Sequence, residues 1–122
     1  MLNLYFLKRD LPRQTIAYLN ECRDQGKLVK YVCSGLAVTA ESEQHARELA
    51  SQPLPIPKGC TLQPDNTLKP GPAYGWMHDP ETEVWLDPTK ATCRILDLPV
   101  SETKKCEVSY RAFTETLVEE EP

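Results

Sequence analysis

Apolar positions recur along this chain with two periods, and the changes of period mark its elements. LNLYFL at 2–7 is a short apolar run suited to a buried strand. Asp10 then offers an N-cap and Pro12 a first-turn proline for a helix whose apolar stripe is Ile16, Leu19 and Cys22. Gly26 is placed to close that helix in a left-handed cap. Residues 27–33, KLVKYVC, return to strand character, with Val29, Tyr31 and Cys33 alternating against Lys30 and Val32. The pattern continues through LAV if Ser34-Gly35 forms a bulge. Thr39 is a candidate N-cap for a second helix over 40–51, with a narrow face of Ala46, Leu49 and Ala50. A strand, a helix and a second strand in one sheet would normally be parallel, with a right-handed crossover.

Proline changes the picture after residue 52. Pro53-Leu-Pro-Ile-Pro favours an extended, polyproline-like arm that continues to residue 72, with turn signals at Gly59, Pro64-Asp65-Asn66 and Pro70-Gly71-Pro72. Leu54, Ile56, Leu62 and Leu68 recur along it, which favours packing along the surface over a free linker. From 73 to 118 the chain reads as an antiparallel β-meander, with strands at 73–78, 83–87, 91–98 and 106–117. Asp79-Pro80 and Asp87-Pro88 each pair a turn-capping aspartate with a proline preset for the next position. Residues 119–122 read as a frayed acidic tail. The fold class expected is α+β in a single domain: a β-α-β-α half, a Pro-rich arm and a meander, forming one mixed sheet with two helices.

Composition narrows the setting. The chain has 122 residues, 40% hydrophobic and 26% charged, and a net charge of −4. A chain of this length can bury a core without staples. Residues 1–52 sum to +1 and residues 53–122 to −5. Nucleic-acid binding needs clustered cations, which neither half offers, so a protein partner with a basic surface is the more natural counterpart. The five cysteines, Cys22, Cys33, Cys60, Cys93 and Cys106, form no CxxC and no metal spacing with His45 and His78. Their odd number points to reduced thiols in the cytoplasm. MLNLYFLKRD lacks the order of a signal peptide, and no stretch approaches a membrane span.

The stretch YGWMHDPETEVWLD at 74–87 holds both tryptophans. If DPET is a hairpin loop, the register sets Trp76 opposite Trp85 and Tyr74 opposite Asp87. One face then carries Met77, Val84 and Leu86, and the other Tyr74, Trp76, His78, Glu83, Trp85 and Asp87. Opposed aromatics have a structural use without any ligand. On an open face the same residues would make a partner-binding hot spot. A slip of one residue would separate the two indoles.

Other constellations are weaker. Cys33-Ser34-Gly35 resembles a nucleophile on a tight turn only superficially, because nothing places a base beside it. His45 sits at the edge of the second helix's apolar face. GxGxxG and GxxxxGK are absent, so neither a nucleotide cofactor nor a metal is expected. The function expected is a non-enzymatic protein-interaction module (an adaptor, assembly subunit or inhibitor) acting through the aromatic face, the Pro-rich arm or both. The alternative is a small enzyme using Cys33 or His78 with a nearby carboxylate such as Glu83 or Asp87.

Overall fold

The computed structural model describes residues 2–52, 56, 58–69, 82–96, 100–101 and 104–117. In chain order these form β1 (Asn3–Arg9), α1 (Ile16–Asp24), β2 (Val29–Ala40), α2 (Glu43–Ala50), β3 (Thr61–Leu62), β4 (Leu68–Lys69), a 3₁₀ helix (Glu83–Leu86), β5 (Ala91–Leu96) and β6 (Glu107–Leu117). The class is α+β, with a four-stranded antiparallel sheet ordered β5-β1-β2-β6 and a two-stranded sheet of β3 and β4. Contacts group the chain into two compact units. One comprises Met1–Asp10, Cys33–Pro53 and Glu81–Ala112; the other comprises Leu11–Val32, Leu54–Pro80 and Phe113–Pro122.

The first unit is built on the β1–β2 ladder. Tyr5 faces Val38 and Leu7 faces Leu36. Side chains alternate along a strand, so these four share one face, and all four are buried. Ala91 and Cys93 of β5 extend that face from the other side of β1. α2 starts on Ser42, whose hydroxyl accepts from the His45 amide, and it buries Ala46 and Ala50. Gly35 lies in unbroken register with Lys8. A Cβ at Gly35 would come within 3.2 Å of Phe6 Cζ, so the missing side chain lets that ring lie close to the strand.

The second unit gathers Leu19 and Cys22 of α1 with Val29, and Leu117 packs against them. α1 is capped by the Thr15 hydroxyl. Its far end is closed by two bonds, from the Gly26 amide to Arg23 O and from the Lys27 amide to Cys22 O. This double closure needs a left-handed residue, and Gly26 supplies it at φ +79°. The β3–β4 hairpin turns through Pro64, Asp65 and Asn66, with Asn66 left-handed at φ 69°. Asp65 Oδ1 accepts from the amide and hydroxyl of Thr67, and fixes the turn.

Several expectations are corrected. The sheet is antiparallel, not mixed: β1 and β2 run in opposite directions. The chain leaves β1, passes through α1 and returns beside β1 in the opposite sense, so no crossover is made. The helices start later than Asp10 and Thr39 suggest, because Thr15 and Ser42 cap them. The β1–β2 register runs unbroken from Ala40 back to Gly35. There is no β-meander of the expected kind: β5 pairs with β1, β6 lies beside β2, and these two strands occupy opposite edges of the sheet. Residues 83–86 form a 3₁₀ helix instead of a strand. The Pro-rich arm contains a hairpin at Thr61–Lys69. The expected strand at 73–78 and the tail at 119–122 lie outside the described residues.

Gly26→Ala should destabilise the protein by about 1–2 kcal/mol through its left-handed backbone alone, since no atom lies within 4 Å of the added Cβ. Urea unfolding of the variant measures this. A stability equal to that of the parent chain would show that the turn relaxes freely.

Candidate functional site

Of the six residues expected to bind a partner, Tyr74, Trp76 and His78 lie outside the described residues. The other three do not make one open aromatic face. Glu83 is exposed in the 3₁₀ helix, and Trp85 in the same helix is only 2% exposed. Asp87 is occupied by its own turn. Its Oδ1 accepts from the Thr89 amide at 2.9 Å and the Thr89 hydroxyl at 2.6 Å. These bonds, the hydroxyl's first, hold the Asp87 carboxyl below the usual carboxylate range. Pro88 holds Asp87 extended at φ −98°, ψ 109°, which ends the helix.

The 3₁₀ helix is tied to α2 through Arg47. This side chain of α2 is buried, and its Nη1 donates to Trp85 O at 3.1 Å and to Ala91 O at 2.9 Å. Its Nε meets Glu43 Oε2 at 3.3 Å, one helical turn away. The 3₁₀ turn leaves the Trp85 carbonyl free to accept. Sequence reading missed this residue because Arg47 looks like a solvated position on a short amphipathic helix. The signal that could have found it is its place beside Ala46 on the small-residue face.

Cys33 is buried, and its Sγ donates to Gly35 O at 3.5 Å. Arg111 lies in hydrogen-bonding reach of that sulfur. Burial draws the Arg111 guanidinium below its ordinary value, and the sulfur partly offsets this. The Cys93 thiol is pushed up, first by burial and then by Glu43, which makes it a poorer nucleophile. His45 accepts the Glu41 amide at Nδ1, at 3.4 Å, and so serves the helix start. Among the described residues, no group of three or more His, Cys, Asp or Glu side chains is placed to hold a metal ion. No helix among them is long and apolar enough to cross a membrane.

The second unit holds a separate polar cluster. Arg23 Nη2 donates to Glu115 Oε1 at 2.6 Å. The Tyr31 hydroxyl also bonds to Glu115 and is the chief reason its carboxyl lies below the ordinary range; Arg23 adds to this against the opposing effect of burial. The phenol is raised correspondingly. The Tyr31 backbone is held as well: its amide donates to Asp65 O at 3.1 Å and its carbonyl accepts from Asn66 Nδ2 at 2.8 Å. Every polar group here has a structural partner, so the cluster reads as a brace.

The feature best suited to recognition is β6. It forms one edge of the four-stranded sheet and runs for 11 residues, about twice the usual strand length. Free edges are commonly guarded by proline, lysine or a short span. β6 contains neither residue, and its charged positions are Glu107, Arg111 and Glu115. In its Glu107–Ala112 part, Ser109 donates to Ala37 O at 3.2 Å, while Tyr110 stands 60% exposed. An edge of this kind can accept a further strand through its main chain. Comparison with protein-family models, curated proteins and solved structures finds no significant match.

Arg47→Met should cost about 2–4 kcal/mol, because two carbonyls lose a charged donor, while Glu43→Gln should cost under about 0.5 kcal/mol, as expected for an exposed i,i+4 pair. Equal urea midpoints for the two variants would shift the weight from the carbonyl bonds to the ion pair. A second prediction concerns acid. Glu115 has a lowered folded-state pKa, so its contribution is full above the ordinary glutamate value and is lost as pH falls through the folded value. Tyr31→Phe should move the Glu115 carboxyl upward and flatten the loss of stability on acidification. An NMR titration of Glu115 that is identical in both proteins would refute this.

Proposed function

We propose that this chain is a protein-interaction module that binds by accepting a partner's extended strand at the β6 edge. The observation that carries this reading is the combination of length and exposure in one edge strand that has neither proline nor lysine. Main-chain hydrogen bonds supply affinity in strand addition, and alternate side chains supply specificity. Tyr110 is the natural anchor, since tyrosine buries a large area at little entropic cost. The opposite edge is less suited. β5 has six residues, is packed against the 3₁₀ helix and has its first carbonyl taken by Arg47. The buried indole of Trp85 belongs to the core of the first unit in this reading and does not meet a partner.

Tyr110→Lys places a natural edge guard on the strand without touching the buried face. It should abolish the complexes formed by the chain, whether purified or expressed in its native host, with circular dichroism and urea midpoint unchanged. Complexes that survive this substitution at unchanged yield would rule out the β6 edge as the binding surface.

A further inference from the structure

Glu107-Val-Ser-Tyr-Arg111, in the exposed part of β6, has a sequence that complements itself when reversed. Successive side chains alternate faces, so Glu107, Ser109 and Arg111 point to one side of the sheet and Val108 and Tyr110 to the other. Two copies of a strand can pair antiparallel about a two-fold axis perpendicular to the sheet, and that axis must pass through a residue so that each face meets its like. Five axes fall in this stretch, and the one through Glu107 sets that carboxylate against its own copy. An axis through Val108 sets Arg111 against Lys105, and one through Arg111 sets Arg111 against itself; both oppose like charges. An axis through Tyr110 sets Arg111 against Ser109 and leaves the charge without a counterpart. An axis through Ser109 sets Glu107 opposite Arg111 twice, and Val108 opposite Tyr110 twice. Among these five it is the one register that pairs opposite charges on one face and an aromatic with a β-branched residue on the other, and it leaves Glu115 to its partners Arg23 and Tyr31.

We propose that β6 pairs with β6 of a second copy of this chain in the register centred on Ser109, joining two four-stranded sheets into one continuous sheet. This rests on reading the β6 edge as the binding surface, and it names the partner. Charge decides the register: Glu107 and Arg111 are the two side chains in Glu107–Ala112 that carry charge at neutral pH, and they have opposite signs. Glu107 is exposed and Arg111 is half-buried, so a second strand can cover both. Arg111 has several N–H donors and can meet a carboxylate while remaining beside Cys33. Tyr110, the most exposed aromatic side chain among the described residues, gains cover from Val108 of the second copy. Pairing also removes the open edge, which a monomer would leave as an aggregation site.

The test is a charge exchange read by analytical ultracentrifugation of the full chain over a concentration series. The parent chain should be a dimer. Glu107→Arg alone and Arg111→Glu alone should each weaken it by about tenfold or more, because each variant places like charges opposite one another twice. Mixing the two variants should restore the dimer, since every pair in the mixed species is again of opposite sign, and the double variant should behave like the parent chain. If Arg111→Glu does not fold, Glu107→Arg must still weaken the dimer more than Glu107→Gln does. A dimer indifferent to these changes, or no recovery on mixing, would overturn the register. A purified chain that stays monomeric, but whose complexes from the native host are lost with Tyr110→Lys, would overturn self-pairing and leave the interaction module standing. Complexes indifferent to Tyr110→Lys would remove that module reading itself.

Discussion

The first unit depends on one buried cation. Arg47 leaves water, which costs several kcal/mol for a charge without partners. It recovers that cost through two carbonyl acceptors from distant parts of the chain, Trp85 and Ala91, and through Glu43 beside it. The arrangement imposes conditions on everything nearby. The Trp85 carbonyl, in the 3₁₀ helix, must point to α2. The first residue of β5 must present its carbonyl to α2. Small residues at positions 46 and 50 let the helix backbone approach closely enough for the guanidinium to reach both acceptors. An aliphatic side chain in place of Arg47 could fill the volume, but it could not satisfy either carbonyl.

The second unit solves a backbone problem by different means. Tyr31 lies within β2, yet its amide and carbonyl are satisfied by the turn at Asp65-Asn66. That turn can do so because Asn66 accepts a left-handed backbone and because Asp65 is held by Thr67. The same aspartate–threonine device recurs at Asp87 and Thr89. Proline stands just before Asp65 and just after Asp87. In both places a carboxylate restrains a connection that would otherwise be loose.

Elements governed by local rules were legible in the sequence. The α+β class, both helices, the left-handed Gly26 and the turns at Asp65 and Asp87 all follow from periodicity and capping chemistry. Strand partners were not legible, because alternation in β5 and β6 says which face is apolar and nothing about which neighbour each strand takes. The site suffered most. Val84-Trp85-Leu86 has strand-like composition, yet it coils and offers the Trp85 carbonyl to the distant Arg47. The sequence leaves Trp85 between a covered structural pair and an exposed hot spot, and in the fold it is a core residue. The edge status of β6 depends on sheet order, and no local pattern reports sheet order.

Sheet order also has a consequence in time. β1 and β2 can pair as soon as residue 40 is made, but the acceptors of Arg47 lie 38 and 44 residues further along the chain. During synthesis from the N-terminus, the buried guanidinium therefore waits without its partners while most of the remaining chain is still being built. Both long sides of the β1–β2 pair are bare over the same interval, because β5 and β6 are the last strands to emerge. A nascent chain in this state presents two open edges and a cation that stays in water until its acceptors arrive. Its exposure to mispairing is thus set by the rate of translation through residues 41–112, more than by the stability of the finished sheet.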